Sequence, residues 1–260
     1  MDLKLTGKRV LVTGGNSGLG AAIVRAFAAE GARVAINYLV RPEITDQMAV
    51  ELKPAAGDVL GVKADISRID EVAAMYQKLD AAWGGIDVLV NNAGIDGTRA
   101  LSWEADPEAW SRVLQINLFG AYFCAREALK RMIPAKSGVI INTSSVHEQI
   151  AWSGYSAYCA AKAGVSMMSK TLAQEAGEFG VRVLCVAPGA IRTPINADVW
   201  KDPAGYQDLL SKVAIKRVGE AQDIAGMVTV LASDVASYVT ATSVFIDGGM
   251  TDYPAFTHGG

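Results

Sequence analysis

The strongest constraint on the fold is a regular alternation of short apolar segments with longer segments of helical pattern. The short segments are rich in β-branched residues and form near-continuous apolar runs instead of alternating apolar and polar positions. This pattern is typical of strands in a sheet that helices cover on both faces. The seven predicted strands span residues 9–15, 33–38, 59–65, 87–94, 138–145, 181–188 and 243–249.

Helical patterns separate these strands, and glycines mark where two of the helices end. One helix is predicted over residues 18–31, ending at Gly31, and another is "DEVAAMYQKLDAAW", followed by Gly84 and Gly85. Crossovers of this length join parallel neighbours, since a hairpin cannot. We therefore expect a doubly wound α/β fold, in which ligands bind beyond the carboxyl ends of the strands.

Length and composition predict one domain and disfavour several kinds of partner. A chain of 260 residues with 51% hydrophobic content can bury a large core, so we expect a single domain over residues 1–260. A net charge of −3 without a run of basic residues disfavours nucleic acids and anionic membranes as partners. Because no signal segment and no apolar run long enough to cross a bilayer is visible, we expect a cytoplasmic protein with a small-molecule partner.

The cysteines and histidines do not form a metal-binding pattern. Cys124, Cys159 and Cys185 are widely spaced among apolar neighbours, which predicts buried, reduced thiols. Only His147 and His258 are available as imidazole ligands, so a zinc site with the usual ligand spacing cannot be assembled. A metal-dependent mechanism is therefore disfavoured.

The turn after the first strand, "TGGNSGLG", indicates a phosphate site. It runs from Thr13 directly into a helix, whose first N–H groups and dipole favour anions. The spacing of Gly14, Gly18 and Gly20 departs from the GxGxxG pattern, and a merely tight turn is the alternative. The predicted cofactor contacts in this turn are Gly14, Asn16, Ser17, Gly18, Leu19 and Gly20.

The end of the second strand bears on the identity of the nucleotide. In dinucleotide folds an acidic residue at this point binds the ribose 2′-hydroxyl and repels a 2′-phosphate. Here the strand ends in Asn37 and Tyr38, and no carboxylate occurs before Glu43. Arg41 is either a donor to a 2′-phosphate or a solvated loop residue. We expect NADP, or use of both NADP and NAD.

Asp65 and Ile66 follow the third strand. The Asp65 carboxylate can accept a hydrogen bond from an adenine amino group, and Ile66 can pack against the adenine ring. An N-cap of the next helix is the alternative for Asp65, and the two roles can coexist.

A tyrosine and a lysine in "GYSAYCAAKAG" are candidates for acid–base chemistry. Tyr158 and Lys162 stand four residues apart and share a helix face, whereas Tyr155 is seven residues from the lysine. Ser145 ends the fifth strand, thirteen residues before Tyr158. An ordinary packing pair is the alternative for Tyr158 and Lys162, and Tyr155 is expected to be an aromatic residue at a helix start or an interface.

With Asn117 in "LQINLFGAYF", "NNAG" at 91–94 and "PG" at 188–189, the pattern resembles the short-chain dehydrogenase/reductase family. TGxxxGxG, NNAG, Asn, Ser, YxxxK and PG occur in the family's order over essentially the whole chain. The resemblance implies a single-domain Rossmann fold, with a seven-stranded parallel sheet and helices on both faces. It also implies an NAD(P)-dependent oxidoreductase acting on CH–OH donors, with a catalytic tetrad of Asn117, Ser145, Tyr158 and Lys162.

Elementary chemistry supports a role for each tetrad member. The Lys162 ammonium, together with an oxidised nicotinamide, is expected to favour the phenolate of Tyr158 by lowering its pKa, so that Tyr158 can exchange the alcohol proton. Ser145 can hydrogen-bond the substrate oxygen where charge develops. By the resemblance, Lys162 also holds the nicotinamide ribose, and Asn117 interrupts its helix and positions a water in a proton relay.

The resemblance implies three further groups of cofactor contacts. They are Asn92, Ala93 and Gly94 at the adenosine ribose, Pro188 and Gly189 beside the nicotinamide ring, and Ile191 and Thr193 at the carboxamide.

Three segments bear on the substrate. "SSVHEQIAW", "GAIRTPINADVWKDP" and "DGGMTDYPAF" resemble family members that oxidise glucose, although those members usually carry Glu where Asp96 stands and a basic residue where Leu39 stands. Buried sugar hydroxyls need partners, and Asp96, His147 and Tyr253 are the candidates beside Ser145 and Tyr158. A plain loop residue is the alternative for His147. Another sugar or polyol, or a ketone or steroid-like carbonyl, is the alternative substrate.

Two further expectations concern the later half of the chain. The helix from Gly154 to about Gly177 carries small and apolar residues around more of its surface than one sheet face needs, which favours burial in an oligomer over a fully buried internal helix. The family resemblance implies a homotetramer. Residues 189–206, within a substrate region 189–220, have the composition of an active-site lid. A catalytically silent dinucleotide sensor is disfavoured, because it has no need of all four tetrad members.

Overall fold

The computed structural model describes residues 2–193 and 202–252, and its main feature is a seven-stranded parallel sheet. The strands are β1 (Arg9–Val12), β2 (Arg33–Tyr38), β3 (Asp58–Lys63), β4 (Val88–Asn91), β5 (Gly138–Thr143), β6 (Val181–Pro188), β7 (Ile191–Arg192), β8 (Gly219–Glu220) and β9 (Ser243–Ile246). The order in the sheet is β3-β2-β1-β4-β5-β6-β9, and β7 pairs with β8 apart from it. The predicted doubly wound α/β fold is confirmed.

Helices connect the strands. They are α1 (Gly18–Ala29), α2 (Pro42–Leu52), α3 (Ile69–Trp83), α4 (Pro107–Leu114), α5 (Ala121–Ala135), α6 (Ser156–Ala176), α7 (Pro203–Ser211) and α8 (Ala221–Ala232). A π-helical segment, Gln115–Gly120, joins α4 to α5, and a 3₁₀ turn, Val146–Glu148, follows β5. Within the described ranges, every helix is too short or too polar to cross a membrane.

Alternate residues of each strand feed two hydrophobic cores on opposite faces of the sheet. Val10 and Val12 of β1 lie in one core with residues of α1 and α8. Leu11, between them, lies in the other core with residues of α3, α5 and α6. Because both faces are covered, the strands are apolar on both sides, which explains the continuous apolar runs in the sequence.

The strand order places the switch point of the sheet between β1 and β4. The chain leaves β1 toward β2 on one side and reaches β4 on the other. The crevice beyond the carboxyl ends of such strands is where ligands of this fold bind. The glycine turn, the "NNAG" loop, Ser145 and the "PG" dipeptide all follow strands at this edge.

The segment predicted as a lid differs from a continuous loop. β7 pairs in parallel with β8, and α7 begins within the predicted loop, where the Asp202 side chain accepts a hydrogen bond from Gly205 N at 2.7 Å. An aspartate followed by proline is a usual helix start, and the short strand pair has too few residues to be recognised from a pattern. Residues 194–201 of the predicted lid lie outside the described residues.

The three cysteines are free thiols. Cys124 and Cys185 are buried, as expected, and burial raises the pKa of both thiols. Cys159 is half-buried, so the expectation of a fully buried thiol is wrong there. It precedes exposed Ala160 on α6, whereas Ala157 and Ala161 of the same helix are buried.

Candidate active site

The glycine-rich turn leaves the amino end of α1 open to an anion. Gly14 and Gly18 have φ of 61° and 49°, in the left-handed region that glycine adopts without strain. A Cβ on Gly20 would collide with the Gly14 carbonyl oxygen and would lie 2.6 Å from Asn92 Nδ2. Among the described residues, no side chain caps α1 at Ser17, so its first N–H groups remain available to a phosphate.

The hydroxyl of Thr13 joins this turn to the loop after β4. Its Oγ1 accepts hydrogen bonds from Asn92 N at 2.9 Å and from Ala93 N at 3.1 Å. The Asn92 side chain donates back to the Thr13 carbonyl at 3.0 Å. The predicted ribose contacts of the "NNAG" loop therefore lie beside the glycine turn. The sequence analysis did not single out Thr13, whose only signal is its place in the TG pair.

Two predicted cofactor residues use their side-chain amides within the protein. Asn16 Nδ2 donates to the carbonyls of Val40 at 2.9 Å and Arg41 at 3.2 Å. Asn37 is 2% exposed, and its Oδ1 accepts from Gly14 N at 3.3 Å while its Nδ2 donates to two carbonyls at the end of β3. Both side chains hold the glycine turn against the end of β2.

Tyr38 and Arg41 are more accessible than the two asparagines. Tyr38 is half-buried at the end of β2, and Arg41 is exposed at the residue before α2. Among the described residues, the Arg41 guanidinium has no hydrogen-bond or ion-pair partner. It therefore remains available to an anion next to the predicted ribose position.

Asp65 closes a turn instead of capping a helix. Its Oδ1 accepts from Ser67 N at 2.9 Å and from Ser67 Oγ at 2.6 Å, and its Oδ2 accepts from Arg112 at 3.2 Å. Burial acts to raise the pKa of Asp65, but these bonds outweigh it and the pKa is lowered. The N-cap alternative is wrong, because α3 begins at Ile69 with Arg68 as its cap residue.

Asn117 lies in the π-helical segment and is 2% exposed. Its Oδ1 accepts from Ile95 N at 2.8 Å, and its Nδ2 donates to the Ile95 carbonyl at 2.7 Å. A Cβ on Gly94 would lie 2.8 Å from Asn117 Oδ1 and 3.8 Å from Lys162 Nζ, so glycine lets these groups meet. Ile66, predicted to pack on adenine, is 5% exposed against the same segment, which leaves little surface for a ring.

Lys162 is buried and points at the end of β5. Its Nζ donates to the Thr143 carbonyl at 2.7 Å and lies 5.5 Å from the ring centroid of Tyr158. The Ser144 hydroxyl donates to the Lys162 carbonyl at 3.3 Å. Burial lowers the pKa of Lys162 to about 8, because desolvation penalises the ammonium form.

The pKa of Tyr158 depends on its surroundings within the chain. Burial raises the pKa of Tyr158 above its usual value, and a hydrogen bond with Ser145 opposes this only in part. The Lys162 ammonium lies over the phenol ring and bonds the Thr143 carbonyl, so it does not by itself lower the pKa of the hydroxyl. The predicted lowering of this pKa involves an oxidised nicotinamide as well as Lys162, so it stays a prediction.

Asp96 and His147 present acceptors near the tetrad. Asp96 has no hydrogen-bond or ion-pair partner in the described part of the chain, and partial burial raises its pKa against the charges of Lys162 and His147. His147 Nδ1 lies 2.9 Å from the Ile150 carbonyl, which only accepts, so Nδ1 carries the proton. Burial lowers the pKa of His147, and the neutral ring then has Nε2 as an acceptor.

A stack of aromatic rings flanks Tyr158. The Trp152 ring stacks on His147 at 4.5 Å between centroids and on Tyr155 at 3.8 Å. Trp152 and His147 both meet the Tyr158 ring edge-on, at 6.0 and 6.2 Å. Tyr155 is the residue before α6, as expected, and also supports Trp152. Trp152 could not be predicted from the sequence, because the spacing of the residues does not show that the turn after β5 brings the Trp152 ring next to Tyr158.

The "PG" dipeptide ends β6 at the same edge of the sheet. Pro188 is the last residue of β6, and Gly189 N donates to the Ile246 carbonyl of β9 at 3.2 Å. Ile191 is 7% exposed in β7, and Thr193 is the last described residue before the gap at 194–201. Tyr253, a predicted substrate contact, lies outside the described residues.

The chain is similar to known proteins over nearly its whole length. Residues 14–251 match a family model described as enoyl-(acyl carrier protein) reductase. The 3β-hydroxysteroid dehydrogenase 1 of Eggerthella lenta is 44% identical over 259 residues, which are 99% of this chain and 98% of that protein. Glucose 1-dehydrogenase 2 of Bacillus subtilis is 37% identical over 252 residues, 96% and 97% of the two chains. The crystal structure of levodione reductase superposes with a TM-score of 0.90 and 36% identity, covering 96% and 99%.

Replacing Gly20 with alanine should block the anion site. The new Cβ would collide with the Gly14 carbonyl, and overpacking of this kind costs about 1–3 kcal/mol. We expect the Kd of Gly20→Ala for NADPH and NADH, measured by fluorescence titration, to rise at least about tenfold. The matched control is Gly226→Ala on α8, where a Cβ would meet nothing within 4 Å. Equal affinity of Gly20→Ala and Gly226→Ala would contradict the assignment of the turn.

Proposed function

Since the chain belongs to the short-chain dehydrogenase/reductase family, we propose that it interconverts a secondary hydroxyl and a carbonyl, with Tyr158 as the group that exchanges the proton. Its relatives are NAD(P)-dependent oxidoreductases acting on CH–OH groups, and the chain is an enzyme of this kind. The observation that supports the role of Tyr158 is its position between Ser145 and the buried ammonium of Lys162.

The residues at the switch point fit a nicotinamide dinucleotide. The turn that a Cβ on Gly20 would fill, and the uncapped amino end of α1, suit a pyrophosphate. At the end of β2 the exposed Arg41 and the absence of a carboxylate at positions 37 and 38 support NADP, or both NADP and NAD. When bound, the nicotinamide ring supplies or takes up the hydride.

In the proton step, the half-buried phenol of Tyr158 is the donor when a carbonyl is reduced. The raised pKa of Tyr158 keeps it protonated for that role. Oxidation of an alcohol needs the phenolate form of Tyr158. The positive charge of an oxidised nicotinamide favours that form more strongly than Lys162 does. The Ser145 hydroxyl stabilises the substrate oxygen, and Lys162 holds the nicotinamide ribose.

Asn117 contributes to the relay through its backbone. Both polar atoms of its side chain are bonded to Ile95. The main-chain carbonyl of Asn117, within the π-helical segment, is therefore the group that binds the relay water implied by the family. The side chain then holds the "NNAG" loop in place beside Lys162. The main-chain carbonyl of Asn117 thus serves the proton relay, and its side chain positions the loop.

A sugar or polyol, with glucose first, is the proposed substrate. Asp96 has no partner of its own among the described residues, and Nε2 of neutral His147 is an acceptor. Two acceptors beside the reacting groups suit a substrate that carries several O–H donors, since unpaired buried hydroxyls weaken binding. The similarity to a glucose 1-dehydrogenase supports this candidate.

A rigid cyclic alcohol or ketone of steroid type is the second candidate. The Trp152 ring lies 6.0 Å from the Tyr158 ring and offers a large apolar surface beside it. Such a surface suits a hydrocarbon ring system. The similarity to a 3β-hydroxysteroid dehydrogenase at 44% identity supports the same class.

A homotetramer is the proposed assembly. One side of α6 is exposed in the chain, with Ala160, Ala163 and Met167 at the surface, so the alternative of a fully buried internal helix is wrong. Phe119 in the π-helical segment and Tyr122 in the first turn of α5 are exposed as well. Exposed apolar surface of this kind is typical of subunit interfaces.

Tyr158→Phe tests the acid–base assignment. Removing the hydroxyl should lower kcat by about two to four orders of magnitude, since no proton can then be exchanged at that atom. Kd for NADPH should stay within about threefold, because the glycine turn is unchanged. The control is Tyr155→Phe, whose hydroxyl is not used by the proposed mechanism. Turnover of Tyr158→Phe at the rate of Tyr155→Phe would remove the assignment.

A substrate panel decides between the two candidates. Kinetics with NAD and NADP should be measured against glucose, xylose, galactose, a keto-sugar, cyclohexanol and a 3-hydroxysteroid. If glucose is the substrate, its kcat/KM exceeds that of cyclohexanol at least about tenfold, because the acceptors at Asp96 and His147 are then paired. The reverse ranking, with the steroid highest, would replace the first candidate by the second.

Light scattering tests the assembly. The wild-type chain should have the mass of a tetramer, and Met167→Glu should shift it to smaller species, because a buried unpaired carboxylate opposes association. Met167 is 62% exposed, and the control Val50→Glu replaces a residue that is 77% exposed on α2. A wild-type monomer, or equal masses for the two variants, would refute the proposed interface.

A further inference from the structure

The carboxylate of Glu148 joins three separate elements behind the reacting groups. Its Oε1 accepts a hydrogen bond from the Ser166 hydroxyl of α6 at 3.0 Å. Its Oε2 accepts one from the Ser243 hydroxyl of β9 at 3.1 Å. The two serine oxygens lie 3.2 Å apart, and Ser166 is 7% exposed. One side chain of the turn after β5 is therefore bonded to a helix and to an edge strand.

Both ends of this contact lie close in the chain to groups of the proposed mechanism. Glu148 ends the 3₁₀ turn that follows Ser145, and its N–H donates to the Ser145 carbonyl at 3.0 Å. Ser166 follows Lys162 by one helical turn and Tyr158 by two, on the same stripe of α6. The bond from Glu148 to Ser166 thus spans the gap between the turn of Ser145 and the helix of Tyr158.

The other hydrogen bonds of the turn join residues that are close in sequence. Gln149 N and Ile150 N both donate to the Val146 carbonyl, and His147 Nδ1 donates to the Ile150 carbonyl. These bonds fix the shape of the turn without fixing its place against α6. Ser144 and Lys162 tie the end of β5 to α6 before the turn begins. The Glu148 carboxylate supplies the corresponding tie after Ser145.

We propose that Glu148 is a positioning residue, which sets the distance between the turn that carries Ser145 and His147 and the helix that carries Tyr158 and Lys162. This inference rests on the proposed function, since it concerns the same reacting groups. Because the two hydrogen bonds of one carboxylate reach α6 and β9, they restrict movement of the turn relative to both elements. A misplacement of about 1 Å at a reacting centre can reduce the rate about a hundredfold.

The test compares Glu148→Ala with Glu148→Gln. Glu148→Ala removes both acceptors and should lower kcat at least about tenfold, with Kd for NADPH within about twofold. Glu148→Gln should recover kcat to within about threefold, because the amide oxygen accepts from one serine and the amide nitrogen donates to the other. The matched control is Gln149→Ala, which alters the exposed next residue. Its kcat should equal that of the wild type.

A purely structural role gives a different result. If Glu148→Ala loses thermal stability while its kcat at 25 °C stays within about twofold of the wild type, the inference is overturned. If Glu148→Ala does not fold, Ser166→Ala and Ser243→Ala each remove one donor. Each single variant should lower kcat. The double variant should lose less than the product of the two single losses, because both serines bind the same carboxylate. Wild-type kcat in both serine variants would also overturn it.

A measurement independent of turnover separates this inference from the proposed function. A wild-type protein that converts no compound of the panel would count against the proposed function alone. Amide hydrogen exchange of residues 146–150 then decides the inference. If the amides of residues 146–150 exchange faster in Glu148→Ala than in Gln149→Ala, while those of β1 exchange equally in both, the positioning role of Glu148 is supported. Equal exchange in the two variants would overturn it.

Discussion

The buried ammonium of Lys162 is the contact on which the site depends. Its bond to the Thr143 carbonyl fixes α6 against the end of β5, and thereby fixes Tyr158 relative to Ser145. Desolvation lowers the pKa of Lys162 to about 8, which shows that the charge is held against an unfavourable environment. A packing residue would not need a charge in this place. The ribose contact proposed above would use this ammonium.

The remaining site follows from the parallel sheet. Because the carboxyl ends of its strands meet at one edge, loops far apart in sequence become neighbours there. Thr13 then bonds the backbone of Asn92 and Ala93, and Asn117 bonds Ile95. Thr13 and Asn117 carry polar side chains of the kind that bind ligands, and here they hold one loop against another. Bonds within the chain thus fix the positions of these loops relative to one another.

The sequence predicted the elements whose signals are local. Apolar runs located the strands of the sheet, and the four-residue spacing of Tyr158 and Lys162 placed both on α6. It does not reveal features that depend on distant partners. The Asp65 carboxylate, besides closing a local turn with Ser67, accepts a hydrogen bond from Arg112 of another helix. The pKa of Tyr158 depends on where the ammonium points and on burial, neither of which spacing reveals. The ring stack on Trp152 depends on the path of the turn, which no periodicity encodes.

The small β7–β8 pair has a consequence for the segment between its two strands. Ile191 and Gly219 are paired neighbours, so the stretch between them leaves and re-enters the body at almost one point. A loop with adjoining ends can change in length or composition without shifting the sheet, since the entropy of closing it grows only slowly with length. A change in the length of the chain between Ile191 and Gly219 should therefore leave the seven-stranded sheet, and the side chains at its carboxyl edge, in place.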